Sequence, residues 1–275
     1  MRNIDPKTVA SFGDEWTRFD QSKVLEINEK RAFEEYFAIF PWDQLPIDAV
    51  GFDMGCGTGR WARWVAPKVG LLNCIDPSDA IRVAESKLKE HKNVNIIRAD
   101  VDSNPLVAES QDFGYSLGVL HHIPNTEAGI SSCARLLKPG APFLVYLYYS
   151  FDNRPWWFRS VWLATDWARN WICKLPPVAK NIITDLIALV VYVPLARVSL
   201  LCEKINVDVS NIPLAQYRNH SFYTMRTDAR DRFGTPLEQR FSRTEITNML
   251  ERAGLIDIKF SENAPFWCAV GRKAG

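Results

Sequence analysis

The stretch Ala49–Gly59 reads AVGFDMGCGTG. Ala49, Val50 and Phe52 are apolar and predict a short buried strand closed by Asp53. Gly55, Gly57 and Gly59 then fall at every second position before a helical segment begins. A strand that runs into a glycine turn and a helix brings bare backbone and amide N–H groups up to a ligand, because no Cβ stands in the way. The stretch therefore reads as a nucleotide-handling turn.

Glycine spacing narrows the ligand. The dinucleotide fingerprint G-x-G-x-x-G seats a pyrophosphate on the helix N-terminus, whereas here the third glycine, Gly59, comes one residue early. That spacing disfavours a nicotinamide dehydrogenase. An acidic residue just before G-x-G-x-G resembles motif I of the class I S-adenosylmethionine (SAM) dependent methyltransferases. The resemblance implies that the turn holds the methionine end of SAM, with Asp53, Gly55, Cys56, Gly57 and Gly59 as cofactor residues. On this motif alone, another Rossmann-like nucleotide site or a purely structural turn stays open.

Downstream segments extend the resemblance in order. Arg60–Val69 predicts a crossover helix, and Leu71–Ile75 a second buried strand ended by Asp76 and Pro77. A carboxylate at that strand end suits the two ribose hydroxyls; the competing reading is an N-cap for a helix over Asp79–His91, a role that Ser78 or Asp79 can also fill. Val94–Arg98 predicts a third strand, and Asp100, followed by Val101, matches the family position whose acidic side chain meets the adenine amine. Asp112–Leu120 predicts a fourth strand. Its continuation SLGVLHHIP, Ser116–Pro124, resembles the motif after strand four in small-molecule and quinone-type methyltransferases of the methyltransferase-11/25 kind, which puts Gly118 near the cofactor.

Thr126–Leu137 predicts a helix stopped by Lys138-Pro139-Gly140, and Pro142–Tyr149 a fifth strand; a helix over Thr244–Ala253 and strands at Leu255–Phe260 and Phe266–Gly271 close the pattern. Strands alternating with helices imply an α/β fold, and the family resemblance makes it Rossmann-like and doubly wound. Its expected sheet is mainly parallel and seven-stranded with an antiparallel last strand, and a mostly helical cap is inserted after strand five. Residues 1–48 are then an N-terminal helical cover, 49–150 and 241–275 the SAM-binding core, and 151–240 the inserted substrate subdomain.

In the cover, Phe33, Tyr36, Phe37 and Phe40 recur at helical spacing and predict a helix over Glu29–Phe40 that packs on the sheet. Ser11–Phe19 resembles the segment that closes over the cofactor in several bacterial methyltransferases, which adds Trp16 and Arg18 as cofactor residues. The insertion opens with Trp156, Trp157, Trp162, Trp167 and Trp171, half of the ten tryptophans. They line a pocket for an aromatic or lipid-like substrate, or they pack a cap or a dimer contact. Ile182–Cys202 is strongly apolar, yet Asp185, Pro194 and Arg197 interrupt it and its uncharged run is eleven residues. A membrane span needs about twenty, so a buried cap helix or a subunit interface comes first and a membrane-surface anchor is the minority reading.

Gln216–Asp231 concentrates ionisable and aromatic groups, and Tyr217, Arg218, His220 and Tyr223 join Tyr149 and Trp156 as substrate candidates; a solvated loop is the competing reading. Methyl transfer is an in-line displacement at carbon, so the protein mainly supplies alignment and excludes water. A hydroxyl or ammonium acceptor also needs a base, worth about 10²–10⁴-fold. His121, His122 and Tyr223 are the catalytic candidates, with pocket shaping as the alternative for the histidines.

The formal charge is +1 with both signs interspersed, which leaves no electrostatic footprint for nucleic acid. Six scattered cysteines without C-x-x-C or a cysteine–histidine cluster imply no metal. The N-terminus shows no secretory or transit pattern, so a cytoplasmic location is expected. A homodimer through the cap stays open. The expected function is SAM-dependent methylation of a small-molecule or sugar- or lipid-linked acceptor, with S-adenosyl-L-homocysteine as product. Two alternatives remain: a SAM-using, non-methylating enzyme that releases methylthioadenosine, and a non-catalytic SAM-binding partner protein.

Overall fold

Seven strands form one sheet: β1 (Val50–Met54), β2 (Leu71–Ile75), β3 (Val94–Ile97), β4 (Phe113–Leu117), β5 (Pro142–Tyr146), β6 (Leu255–Phe260) and β7 (Cys268–Lys273), in the order β3-β2-β1-β4-β5-β7-β6. The computed structural model describes residues 3–19, 26–209 and 211–275. β1 to β5 pair in parallel, and β7 runs antiparallel between β5 and β6. This is the expected Rossmann-like sheet, mainly parallel with an antiparallel last strand. The strand order reverses between β1 and β4, which is where the carboxyl ends of a parallel sheet open a crevice for ligand.

Among the described residues the chain divides into two compact units, one built from the chain up to Ser150 together with Leu237–Gly275, the other from Phe151–Pro236. In the first unit, both faces of the sheet are covered, as parallel strands require. Phe52, Ile75 and Phe143 pack with α5 (Thr126–Leu136) and α10 (Arg243–Arg252) on one face. Leu72, Phe113 and Tyr115 pack with α2 (Glu26–Tyr36), α3 (Ala62–Val65) and α4 (Ile81–Leu88) on the other. Helix boundaries follow local chemistry. Asn125 caps α5 by accepting the Ala128 N–H, and Ser242 and Glu245 close a capping box on α10.

Three expected helices are shorter than their apolar pattern. The crossover helix stops at Val65 because Pro67 cannot donate to the helical ladder, and a single tight turn, Ala66–Lys68, follows. The helix expected to Phe40 ends at Tyr36, where Phe37 to Phe40 turn back and keep their rings in the core. Asp79 and Ala80 lie in a turn ahead of α4.

β1 and β4 lock through reciprocal glycines. Gly51 stands opposite Phe113 and Phe52 opposite Gly114, so each ring lies across the bare backbone of its neighbour. A Cβ on Gly51 or Gly114 would come within 2.2 Å of the facing phenylalanine ring.

The second unit is helical: α6 (Trp156–Ile172), α7 (Pro177–Ile187), α8 (Val193–Lys204) and α9 (Phe222–Gly234). A π-turn over Ala188–Tyr192 joins α7 to α8, which gives one continuous 28-residue helix, Pro177–Lys204. Ala188, Tyr192 and Ala196 pack on Met225, Ala229 and Phe233 of α9. The expectation of a buried cap helix over Ile182–Cys202 fails, because only 22% of this helix's most apolar window is buried.

The reciprocal glycine arrangement gives a signed prediction. Gly→Ala in a strand is favourable on chain entropy alone by roughly 0.4–1 kcal/mol, but Gly114→Ala meets the Phe52 ring and is expected to cost about 1–3 kcal/mol. Urea unfolding of Gly114→Ala, and of the Phe52→Leu double variant that relieves the contact, reads the effect; partial recovery in the double variant is expected.

Candidate functional site

The glycine turn is fastened to the end of β2. The N–H groups of Gly55 and Cys56 donate to the Ile75 carbonyl at 2.7 and 3.0 Å, and Gly59 N–H returns to the Cys56 carbonyl. All three glycines have positive φ, which side chains rarely adopt. They differ in what lies above them. A Cβ on Gly55 would strike Val119 and one on Gly59 would strike Leu88, whereas one on Gly57 meets nothing within 4 Å. Gly118, at the end of β4, is open in the same way, with Tyr146 no nearer than 4.0 Å. Two exposed strips of backbone therefore flank the strand-order reversal.

Asp76 takes part in building this turn. Its Oδ2 accepts the Gly57 N–H at 2.9 Å, while Oδ1 accepts the Ser78 N–H and hydroxyl at 2.8 and 2.6 Å. The carboxylate thus clips the turn to the loop after β2, and Ser78 Oγ accepts the Ala80 N–H ahead of α4. Asp100 makes a similar turn with one oxygen only: Oδ1 accepts the Asp102 and Ser103 N–H groups, which leaves Oδ2 open. Val101 beside it packs into the core.

Cys56 is buried in the opposite core, and burial pushes its thiol pKa upward. Its backbone, not its sulfur, belongs to the turn. Pro77 and Arg18 line a cleft of about 1040 Å³ with Gly13, Asp14, Asp79 and Arg98. Trp16 lies half-buried on α1 (Pro6–Arg18) and does not line that cleft.

Asp53 carries the sharpest electrostatic signal. It is 1% exposed, and neither carboxylate oxygen has a hydrogen-bond partner among the described residues. Burial pushes its pKa up to about 8; the Tyr115 hydroxyl tempers the rise and the Asp76 carboxylate adds to it. A buried carboxyl with no well-formed hydrogen bond is costly when ionised, and a cation placed beside it would relieve that cost. The turn, the open backbone at Gly57 and this orphaned acid together fit a ligand with an ammonium group.

Beyond β4, a tight turn over Leu120–His122 brings both histidines inward. His121 is fully buried between His122 and Tyr148, with ring centroids 4.0 and 3.9 Å away. Burial, then the neighbouring His122 and Arg240, hold its pKa well below the usual histidine value, so its imidazole is neutral and weakly basic. His122 is oriented differently: Nδ1 donates to the Leu237 carbonyl at 2.7 Å, and Phe12 of α1 packs edge-on at 4.9 Å. With the proton on Nδ1, Nε2 is the basic nitrogen of the neutral ring.

Several site residues escape the sequence reading. Arg240 stacks over the Tyr148 ring at 5.1 Å and pairs with buried Glu238 at 2.8 Å. Tyr146 meets Tyr36 at 5.0 Å beside Trp61. The visible signal is the alternation Tyr146, Leu147, Tyr148, which puts the two tyrosines on one side. Tyr149, the expected substrate residue, sits on the opposite side, bridged to Phe241 and packed near Phe266 at 5.8 Å.

The remaining candidates belong to the second unit. Trp156 stands 81% exposed on the first turn of α6. Tyr217 packs on Tyr192 and His220. Arg218 pairs with Glu203 at 2.7 Å and donates to the Ala215 carbonyl. The Tyr223 carbonyl accepts the Thr227 hydroxyl within α9. Tyr217 and His220 thus lie together beside Tyr192, and these bonds hold the helical unit together.

Comparison with known proteins identifies relatives of the core. Residues 52–145 match the family model described as a methyltransferase domain. A ubiquinone biosynthesis O-methyltransferase from Coxiella burnetii is 29% identical over 163 residues, and the match covers 56% of this chain and 64% of that protein. Phosphoethanolamine N-methyltransferase 2 from Caenorhabditis elegans is 33% identical over 100 residues, covering 35% of this chain and 23% of that one. Thus this chain spans under two thirds of the length of each. A SAM-dependent methyltransferase structure from Aquifex aeolicus shares the fold over 94% of this chain and 96% of its own, with a TM-score of 0.50 at 13% identity.

The buried Asp53 carboxyl makes stability depend on pH. Its folded pKa lies above the unfolded value, so the folded state holds the proton longer and stability falls as pH rises from about 4 to about 8. In ligand-free protein, Asp53→Asn is expected to gain on the parent across this window, by about 2–4 kcal/mol at its upper end. Urea unfolding at pH 5, 6.5 and 8 measures the gap; a gap independent of pH contradicts a neutral buried carboxyl.

Proposed function

We propose that this chain, whose core is a methyltransferase domain of the class I SAM-dependent family, transfers the SAM methyl group to an oxygen or nitrogen of a small molecule. The observation that carries the reading is the orphaned Asp53 carboxyl beside the open backbone of Gly57. Relatives whose names specify O- and N-methylation support an oxygen or nitrogen nucleophile, and a sugar- or lipid-linked molecule is the finer proposal for the acceptor.

When bound, SAM supplies an activated methyl group on sulfur. Asp53 would hold the ammonium of its methionine end, a charge that would stabilise the ionised form of the acid. Gly57 and Gly118 let the ligand approach backbone without meeting a side chain. Asp100, whose Oδ2 is left open, would accept from the adenine amine, and Asp76, which fixes the turn, would offer its further lone pairs to ribose hydroxyls. For a hydroxyl acceptor, His122 is the better base: its Nδ1–H is committed to Leu237, while burial leaves His121 weakly basic. His121 and Tyr148 then shape and dry the wall beside it.

The test incubates the protein with methyl-labelled SAM and a pool of small metabolites. Labelled product with S-adenosyl-L-homocysteine is expected; methylthioadenosine in its place, or SAM binding without turnover, contradicts methyl transfer. With an identified hydroxyl acceptor, His122→Gln is expected to lower kcat by about 10²-fold or more and leave SAM affinity intact. His121→Asn is expected to act mainly through stability.

A further inference from the structure

The long helix of the second unit has two faces that repeat every fourth residue. Thr184, Ala188, Tyr192 and Ala196 are buried against α9. Polar bonds secure that side: Tyr192 donates to Asp228 at 2.7 Å, Arg226 forms a two-pronged pair with Asp185, and Lys180 donates to the Gly234 carbonyl. Opposite them, Ile182 (63% exposed), Leu186 (54%), Val190 (56%) and Val198 (50%) face outward, joined by Leu201 (62%). The π-turn at Ala188–Tyr192 adds a residue's worth of slack, which keeps both faces in line over a length where a plain α-helix would rotate them apart.

A second stripe runs along α6. Trp156, Leu163, Trp167 and Trp171 are spaced seven, four and four residues apart, so they share one helix face, and all are more than half exposed. Isolated surface hydrophobics need no explanation, but two continuous stripes in one small helical unit do.

Charge selects the occupant. Residues 151–236 carry eleven Arg and Lys against seven Asp and Glu, although the whole chain is at only +1. Most of the unit's acids are engaged internally: Asp166 with Arg169, Asp185 with Arg226, Glu203 with Arg218 and Asp228 with Tyr192. Arg159, Lys174, Arg197 and Lys204 stand exposed without a carboxylate partner among the described residues, and Lys174 sits 5.7 Å from the Trp171 ring. A second copy of the chain would bring like charges together across a symmetric interface. An anionic bilayer offers the opposite charge, and tryptophan with flanking basic residues suits the headgroup boundary.

We propose that the outward faces of α6 and of the Pro177–Lys204 helix bind the surface of an anionic lipid bilayer, with the long helix lying in the interface plane. Its bonded inner face rules against a span, because a crossing helix would have to give up those buried polar contacts to lipid. The proposal does not depend on the methyl-transfer reading.

Flotation with vesicles tests it. The full chain is expected to float with phosphatidylcholine vesicles that contain about 30% phosphatidylglycerol, to bind neutral vesicles at least about tenfold less, and to release in about 0.5 M salt. Leu186→Ser with Leu201→Ser, and separately Trp167→Ala with Trp171→Ala, are expected to weaken flotation at least about tenfold. Circular dichroism and thermal unfolding confirm that both variants stay folded, as expected for exposed positions. Folded parent protein that stays below the vesicles overturns the proposal, as do folded variants that float as well as the parent. A concentration-dependent dimer dissolved by the leucine changes also overturns it and assigns the face to a second copy.

Discussion

A carboxyl group held out of water without a well-formed hydrogen bond is the constraint on which the site depends. Asp53 lies next to last in β1 at the strand-order reversal, in register with Cys74 of β2 and Tyr115 of β4, and its side-chain oxygens meet no well-formed hydrogen bond among the described residues. Leaving such a group unsatisfied costs free energy that the ligand-free fold must absorb from its core. The core there is stiff: the Phe52–Gly114 and Phe113–Gly51 pairs lock β1 to β4, and the Ser116 hydroxyl donates to the Met54 carbonyl at 2.8 Å. A cation brought beside this carboxyl would relieve that cost.

The parts surrounding Asp53 follow from the same logic. Asp76 clips the glycine turn open, so that the Gly57 backbone faces away from protein. Asp100 turns one oxygen into its own loop and leaves the other open. On the far side, α1 is tied down by the Thr8 hydroxyl, which accepts the Leu237 N–H, and by Phe12 against His122. The segment 237–240, which rejoins the core after the helical unit, contributes the Leu237 carbonyl, Glu238 and Arg240 to the histidine wall.

The fold was legible from a few local facts. Apolar runs, the D-x-G-x-G-x-G turn and the acids that follow β2 and β3 lie close together in the chain, and each carries its meaning within about ten residues. The antiparallel final strand was legible too, through the family pattern. What stayed hidden depends on contacts distant in sequence. That Asp76 would bond Gly57, or that Arg240 would stack on Tyr148, cannot be inferred from spacing. Tyr149 was named, but Tyr148, one residue earlier, packs on His121, and in an extended chain successive side chains point to opposite faces. Tyr217 and Arg218 were attractive as site residues because of their types, yet those same types satisfied bonds inside the helical unit. The apolar segment at 182–202 was measured by its uncharged length, a criterion blind to a stretch whose one acid, Asp185, is bonded to Arg226 on its inner flank.

The most direct test of the central claim is calorimetric titration of the protein with SAM near pH 7 in two buffers of different ionisation enthalpy. If the neutral Asp53 carboxyl ionises on meeting the ligand's ammonium, binding releases close to one proton in the parent and none in Asp53→Asn, which also binds more weakly. Tight binding with no proton release in the parent, or equal binding by the variant, would contradict the account.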